Sequence, residues 1–308
     1  MKLISARTAW LGLVAGLLVA ALARAEGPAP VPKPLTTMQV MAQTVDADWR
    51  QPRAEDLLIM QLEAGRIIIE LAPIFAPEHV NNILTLVNGG WFDGLSINRV
   101  QDNFVAQWGD PDNSKPLGEA SVSLAGEFSR PRTKDLSWYL LPDGDVYAPQ
   151  VGWVNGFAAA RDVASDKAWL AHCYGTIGVG RDSAADSGNG AELYAVIGHA
   201  PRQLDRNITV VGRVLQGMEW LSSLPRGTGP LGFYEEEQER VRIVSITQAS
   251  RLPEAERPKI EILHTHRPIF DLFVESRRNR RDEWYLIPAG HIDLCNVVVP
   301  VRSREQPQ

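Results

Sequence analysis

The segment LSINRVQDNFVAQWGDP, residues 95–111, decides the fold of this chain. β-Favouring residues form two short runs on either side of residues 101–103, which carry the polar sequence Gln-Asp-Asn. The closing sequence WGDP, at residues 108–111, is typical of a turn. The segment therefore predicts two short strands that are joined by a bend and followed by a turn.

Three side chains of this segment suggest a binding surface. Arg99, Phe104 and Gln107 fall within nine positions, and a bend at residues 100–103 would bring them onto one face of a sheet. A cation, an apolar ring and a neutral amide, with no nucleophile beside them, suit the binding of a polar backbone next to an apolar ring. The alternative interpretation places Arg99 in solvent, Phe104 in the core and Gln107 on an exposed face.

The first 25 residues have the features of a signal peptide. Lys2 and Arg7 give a positive start, residues 9–22 are apolar and uncharged, and residues 23–25 match a small-x-small cleavage site. We expect cleavage after Ala25 and a mature protein that is periplasmic or secreted, without membrane attachment. An uncleaved anchor is the alternative.

Charge and cysteine content limit the partners and the compartment. The formal net charge of the 308 residues is −6, and loss of Lys2, Arg7 and Arg24 with the signal peptide makes it −9. Because an acidic surface repels nucleic acid and anionic lipid, we expect neither as a partner. The two cysteines, Cys173 and Cys295, either form one disulfide, as exported proteins allow, or remain buried thiols.

The chain after the signal peptide begins with a weakly patterned segment and a hairpin. Residues 26–55 are rich in Pro and Ala, which predicts a loosely packed lead-in with a short helix near residues 38–48. The folded domain is expected to begin at residue 56. Residues 57–71 form two β-rich runs around a Gly-Arg turn, which indicates a hairpin. Within it, Glu70 alternates with apolar neighbours and is expected to face water.

A helix is predicted after this hairpin. Pro77 suits a first helical turn, Glu78 complements the helix dipole, and the Asn-Gly-Gly sequence at residues 88–90 ends the helix. Apolar residues recur at helical spacing and predict its buried face: Val80, Ile83, Leu84 and Val87. The order strand, strand, helix, strand, strand favours an antiparallel sheet over the alternating pattern of a parallel nucleotide-binding sheet.

Residues 112–172 are less regular and are interpreted as a long insertion. Residues 119–128 predict a strand, and residues 137–141 with 150–155 predict a hairpin. Four aromatic residues of the insertion are expected to pack against the main body: Trp138, Tyr139, Trp153 and Trp169.

Regular patterns return at residue 175. Strands are predicted at residues 175–182, 191–199 and 208–216, followed by a helix over residues 217–224. Residues 240–247 alternate between apolar and polar and predict a closing edge strand.

The remaining residues, 250–308, form a C-terminal extension of different character. A polar linker is followed by three β-like runs, at residues 260–265, 284–288 and 296–301. This extension is too short to predict an independent domain, so we expect it to pack on the main sheet.

The sequence contains only weak signals for a metal site or for hydrolase chemistry. Four C-terminal residues could together bind zinc through nitrogen and sulfur: His264, His266, His291 and Cys295. Their spacing matches no zinc finger or ribbon. Calcium ligation by Asp182, Asp186 and Asn189 lacks the EF-hand spacing. The GxSxG elbow of serine hydrolases is absent. We therefore assign no metal site.

Two blocks of motifs resemble the cyclophilin-type peptidyl-prolyl isomerases. Residues 76–111 are similar to the family's helix, its G-x-Y/F-D/K-G turn and its F-H-R-V-x-x-x-F-x-x-Q-G-G-D motif. The sequences GTIGVGR, SGNGAELYAVIG and LDRNITVVGRVLQGM, between residues 175 and 218, resemble the second half of the family. The resemblance covers residues 56–249, apart from the insertion. It implies a mainly β fold, with a closed antiparallel barrel flanked by two α-helices.

The resemblance also implies which residues act. The family's catalytic arginine falls on Arg99, its carbonyl-binding glutamine on Gln107 and its proline-pocket phenylalanine on Phe104. The other substrate-binding positions depart from the family pattern and are occupied by Asn98, Val105, Glu192, Leu193 and Tyr194. Further departures are Gln203 and Ile208, where the family has tryptophan and histidine.

The implied activity is peptidyl-prolyl cis-trans isomerisation in exported proteins, without a cofactor. Its partners would be proline-containing polypeptides, and the sequence does not specify the oligomeric state. Because several pocket positions differ, the alternative is a weak or inactive binding module or chaperone with the same barrel. Glu192 adds a negative charge near Arg99 in either case.

Overall fold

The computed structural model describes residues 35–112 and 114–304. The expected signal peptide and its cleavage site lie outside these residues. The first part contains α1 and α2 and five strands: α1 (Thr37–Ala42), β1 (Trp49–Arg50), β2 (Leu57–Leu62), β3 (Arg66–Leu71), α2 (Pro77–Asn88), β4 (Ser96–Val100) and β5 (Val105–Gly109). The expected insertion contains five strands: β6 (Arg130–Pro131), β7 (Trp138–Leu141), β8 (Gln150–Val154), β9 (Phe157–Asp162) and β10 (Lys167–Leu170).

The last part contains α3 and α4 and six strands. These elements are β11 (Thr176–Val179), β12 (Leu193–Val196), β13 (Val210–Gln216), α3 (Met218–Ser222), β14 (Val241–Gln248), β15 (Ile260–Leu263), α4 (Pro268–Arg278) and β16 (Val301–Ser303).

Eight strands form a closed antiparallel barrel in the order β11-β12-β5-β4-β14-β2-β3-β13. The barrel interior is filled by alternate residues of its strands, such as Met60 of β2 and Ile69 of β3, which are almost fully buried. The predicted mainly β barrel is therefore confirmed. The expectation of an edge strand at residues 240–247 is wrong, because β14 pairs with both β2 and β4, and a closed barrel has no edge.

Two helices flank the barrel. α2 begins at Pro77 and buries Val80, Ile83 and Val87 against the barrel core, whereas Leu84 is only half-buried. The short helix α3 packs near β3, and the Trp220 ring fills the space that a side chain at residue 65 would need.

Glu70 is not exposed, so that prediction is wrong. Its side chain points away from the barrel interior, as the alternation predicts, but the N-terminal segment and β13 cover that face. Arg50 and Arg213 each approach its carboxylate to 2.8 Å. The buried charge is therefore paired from two sides.

The residues outside the barrel share a core of their own. β6 to β10 form a five-stranded sheet in the order β6-β10-β9-β8-β7, and β1, β15 and β16 form a three-stranded sheet. The rings of Tyr139 and Trp153 lie 5.1 and 5.3 Å from that of Phe270 in α4, measured between centroids. Trp169 belongs to the same cluster. Most of the insertion's aromatic residues therefore pack against the C-terminal segment, and not against the barrel as expected.

Three local predictions in these outer segments need correction, and one helix was missed. Residues 35–55 are not a loose lead-in, because Val40 and Trp49 are buried and β1 pairs with β15. Residues 119–128 and 284–288 form no strand, since neither segment finds a strand partner. The helix α4 was not predicted.

The two cysteines form a disulfide. Cys173, directly after the insertion sheet, is bonded to Cys295 in the C-terminal segment, with a sequence separation of 122. Of the two alternatives that the sequence left open, a disulfide or two buried thiols, the structure shows the disulfide.

Candidate active site

The β4–β5 hairpin contains the bend that the sequence predicts. The amide of Gln101 donates to Val105 O, the amide of Phe104 donates to Gln101 O, and Asn103 has a φ of +51°. A bulge at Asn98 shifts the register, so that Ile97 pairs with Trp108 while Arg99 pairs with Gln107. Arg99 and Gln107 consequently lie side by side on the outer face of the barrel.

The Arg99 guanidinium is held by three acceptors. One terminal nitrogen donates to Gln107 Oε1 at 3.1 Å, the other donates to Gln101 Oε1, and Nε donates to Leu231 O at 2.8 Å. Partial burial lowers the pKa of Arg99 from its very high ordinary value, but the group remains a cation at any physiological pH. Arg99 is thus a fixed cation whose orientation is set by neutral oxygens.

Two aromatic rings face the same guanidinium. The Cζ atom of Arg99 lies 5.7 Å from the centroid of Phe104 and 5.2 Å from that of Phe233. Phe233 and Leu231 belong to the loop GPLGF, residues 229–233, for which the sequence predicts no role in the site. Its single aromatic residue was the one available signal, and the antiparallel bridge between residues 99 and 233 is not visible in the sequence.

Glu192 completes a row of three polar side chains. Gln107 Nε2 donates to Glu192 Oε2 at 3.1 Å, so the Gln107 amide connects the carboxyl group to Arg99. Burial raises the pKa of Glu192 to about 7, and the nearby Asp110 charge acts in the same direction. The hydrogen bond from Gln107 opposes this rise. The buried Asn98 amide and Glu192 Oε1 have no partner with hydrogen-bond geometry among the described residues.

An apolar cluster lies beside this row on the outer face. It contains the buried residues Val105, Tyr194 and Val196 and the partly buried residues Phe104 and Ile208. Burial raises the pKa of Tyr194, and its hydroxyl group is 3.0 Å from His172 Nε2. The cluster therefore offers an apolar surface with a neutral phenol beneath it.

A polar cavity of about 390 Å³ opens on the other side of the row. Its lining includes two side chains of the row, charges of both signs and two aromatic rings: Gln107, Glu192, Asp110, Lys115, Arg181, Trp91 and Phe233. Arg99 thus faces Phe104 of the apolar cluster, and its hydrogen-bond partner Gln107 lines the polar cavity.

The predicted site residues divide into two groups. Arg99, Phe104, Val105, Gln107, Glu192 and Tyr194 share the outer face of β4, β5 and β12 or its border. Leu193 does not, because strand alternation turns it into the barrel interior when Tyr194 points outward. Asn98 is also fully buried, since the bulge turns its side chain away from the surface.

The other candidate chemistries find no support among residues 35–112 and 114–304. No group of three or more His, Cys, Asp and Glu residues in these ranges is placed to hold a metal ion. Cys295 is consumed by the disulfide. Within the same ranges, no helix is long and apolar enough to cross a bilayer.

Known proteins resemble both the barrel and the larger chain. Residues 57–248 match the family model described as cyclophilin type peptidyl-prolyl cis-trans isomerase/CLD. A probable peptidyl-prolyl cis-trans isomerase of Brucella suis is 26% identical over 174 residues, which are 56% of this chain and 74% of that protein. The crystal structure of cyclophilin AquaCyp293 from Hirschia baltica is 27% identical, with a TM-score of 0.67 over 88% of this chain and 99% of that one.

The family match covers well over half of the chain and coincides with the closed barrel that carries Arg99, Phe104 and Gln107. The Brucella suis relative is named as a probable peptidyl-prolyl cis-trans isomerase, and the Hirschia baltica structure is named as a cyclophilin. The chain belongs to the cyclophilin-type peptidyl-prolyl cis-trans isomerase family.

Proposed function

We propose that this isomerase accelerates X–Pro isomerisation in exported proteins and that Arg99 stabilises the twisted amide. The observation that carries the proposal is the position of the Arg99 guanidinium between the Phe104 ring and the Gln107 amide on one outer face. Proline-containing polypeptides are the substrates that suit an apolar cluster next to a guanidinium and an amide that can hydrogen-bond a peptide main chain.

The chemistry requires a donor to the prolyl nitrogen. Rotation about an X–Pro bond breaks amide resonance over a barrier of about 20 kcal/mol, and the twisted nitrogen gains a lone pair. The Arg99 guanidinium has five N–H groups, and three of them donate to described residues. Within the described part of the chain, the other two have no acceptor and can donate to the lone pair of the prolyl nitrogen. A hydrogen bond that forms only with the twisted amide lowers the barrier and does not simply strengthen binding.

Gln107 and the apolar cluster would orient the substrate. Gln107 uses its oxygen for Arg99 and one N–H for Glu192, and its second N–H can donate to the substrate carbonyl. Phe104 and Ile208 form the partly exposed rim of the cluster, with Tyr194 below, where a proline ring would be enclosed.

Two observations support an exported location. Residues 1–25 have the composition of a signal peptide. The Cys173–Cys295 disulfide is typical of an oxidising compartment, such as the periplasm or the extracellular space.

A weakly active binding module is the second candidate. The bond from Gln107 to Glu192 favours it, because this bond occupies part of the amide that a substrate carbonyl would need. The buried Asn98, where the family has histidine, also distinguishes this site.

An isomerisation assay separates the two. With a proline-containing peptide as substrate, we expect the wild type to accelerate isomerisation and Arg99→Ala to reduce kcat/KM by about a hundredfold, the loss typical of one transition-state donor. Arg161→Ala is the matched control, since Arg161 also donates to a glutamine and lies over an aromatic ring, but in the insertion sheet. Peptide binding without acceleration by the wild type would instead identify a binding module.

A further inference from the structure

His172 connects the insertion to the apolar cluster. It lies two residues after β10 and is completely buried. Its ring contacts Asp205 Oδ1 through Nδ1 at 2.9 Å and the Tyr194 hydroxyl through Nε2 at 3.0 Å. Because a carboxylate only accepts, Nδ1 donates to Asp205; when the ring is neutral, the Tyr194 hydroxyl donates to Nε2.

Asp205 holds the histidine from a rigid support. Its other oxygen accepts from Arg202 Nε at 2.7 Å, and Arg202 makes two further bonds to Asp145, in the connection between β7 and β8. Burial opposes ionisation, yet the bonds from His172 and Arg202 keep the pKa of Asp205 below its usual value. A continuous buried chain of polar groups therefore runs from the insertion to Tyr194.

Gly178 provides the room for this contact. A Cβ atom at residue 178 would lie 2.2 Å from the Tyr194 hydroxyl oxygen. The tyrosine side chain consequently passes over the bare backbone of β11 to reach His172. The contact depends on both positions, one in the barrel and one at the end of the insertion.

We propose that His172 is a positioning residue that anchors the Tyr194 hydroxyl and thereby fixes the floor of the proline pocket. A phenol without a partner at this depth would carry an unsatisfied buried hydroxyl, which is costly. Rotation of the ring toward water would remove that cost, but it would displace the ring from its place in the apolar cluster beside Phe104. This inference rests on the proposed function, because it assumes that the proline ring binds to this cluster.

Two substitutions separate the contacts of His172. His172→Asn retains an amide near the Nδ1 position for Asp205 but cannot reach Tyr194. His172→Gln places an amide near the Nε2 position and keeps a partner for the hydroxyl. We expect His172→Asn to reduce kcat/KM about tenfold, mainly through KM, since loss of one buried hydrogen bond corresponds to roughly that factor. We expect the kcat/KM of His172→Gln to stay within about twofold of the wild-type value.

A double-mutant cycle gives the decisive result. Once Tyr194→Phe has removed the hydroxyl, His172→Asn should change kcat/KM by less than about twofold, because there is no longer a group to anchor. The matched control is His79→Asn, at a second buried histidine that contacts a carboxylate, Glu127, and a neutral oxygen. It should lower thermal stability but leave KM unchanged.

Three outcomes would overturn the inference: equal losses for His172→Asn and His172→Gln, no loss for either, or an undiminished His172→Asn effect in the Tyr194→Phe background. Circular dichroism melting of each variant corrects the rates for the folded fraction. Failure of the proposed function is a different result, since the wild type itself would then show no acceleration and no difference from Arg99→Ala.

Discussion

The Glu192 carboxyl group is separated from Arg99 by a single amide, that of Gln107. Its charge therefore influences the site, and its raised pKa of about 7 means that this charge changes near neutral pH. A neutral Glu192 leaves the Arg99 cation unopposed, whereas an ionised one partly balances it. The residue that departs from the family glutamine is thus also the titrating group of the site.

We predict that Glu192 makes the free energy of unfolding depend on pH. Its folded pKa lies above the ordinary value of 4.5, so the stabilisation is full below about pH 4.5 and is lost as pH rises through about 7. Glu192→Gln should remove this loss, which is at most about 3 kcal/mol. Urea unfolding at pH 5 to 8 should show an advantage of the variant that grows up to about pH 7.

Glu275→Gln is the control for this experiment. Burial raises the pKa of Glu275, but its bonds to Asn279 and Arg278 prevail and lower it, so its contribution is lost only in acid. The difference between this variant and the wild type should stay constant from pH 6 to 8. A flat profile for Glu192→Gln as well would show that Glu192 is ionised at all these pH values.

At the level of single residues, the sequence predicted the placement of those candidate site residues that belong to one compact motif. Arg99, Phe104 and Gln107 lie in one hairpin, and the bend joins them as expected. Leu193 was misplaced because the motif does not state which face of β12 points inward. Phe233 and His172 were missed, since their contacts to the site join distant parts of the chain.

Among the elements, α2 shows how the insertion supports the barrel. The backbone amides of Glu78 and His79, in the first turn of α2, both donate to the Glu127 carboxylate. The His79 ring contacts the same carboxylate at 2.7 Å. Residues 119–128 were predicted as a strand, but here this segment ends in a carboxylate that satisfies the free amides of a helix N-terminus.

We predict that Glu127→Ala destabilises the protein by about 1–3 kcal/mol, because it removes a helix cap and leaves Nδ1 of the buried His79 without the carboxylate that it contacts. Chemical denaturation followed by circular dichroism measures this loss. Glu119→Ala is the matched control, since Glu119 is an exposed glutamate of the same segment. Equal stability of the two variants would contradict a capping role for Glu127.

Elements with strong local signals were predicted well, and those that depend on partners were not. The hairpin of β2 and β3 and the pair β7–β8 have their own turn residues, and α2 has Pro77 in its first turn and Gly89 at its end. The sequence at residues 284–288 is rich in β-favouring residues but stays exposed, because no neighbouring strand offers it hydrogen bonds. In α4, Pro268 and the helical spacing of Phe270, Phe273 and Val274 are local signals of a helix, in a segment for which only β-like runs were predicted.

On the scale of the whole molecule, the three segments outside the family barrel form one body. Val40 from the N-terminal segment, Trp153 from the insertion and Phe270 from α4 belong to the same core cluster. Composition could not predict this, because the contacts join residues more than 100 positions apart. The insertion is therefore held in place by both ends of the described chain, and through His172 it reaches the proposed pocket.

The Cys173–Cys295 bond should contribute strongly to the stability of this arrangement. It closes a loop of 122 residues, and the entropy of closing such a loop in the unfolded chain corresponds to about 3–5 kcal/mol. We predict that the double variant Cys173→Ser/Cys295→Ser loses about this much unfolding free energy in urea. Dithiothreitol should lower the wild type to the level of the variant but leave the variant unchanged. If the reduced wild type and the variant were as stable as the oxidised protein, packing between the C-terminal segment and the insertion would by itself account for their association.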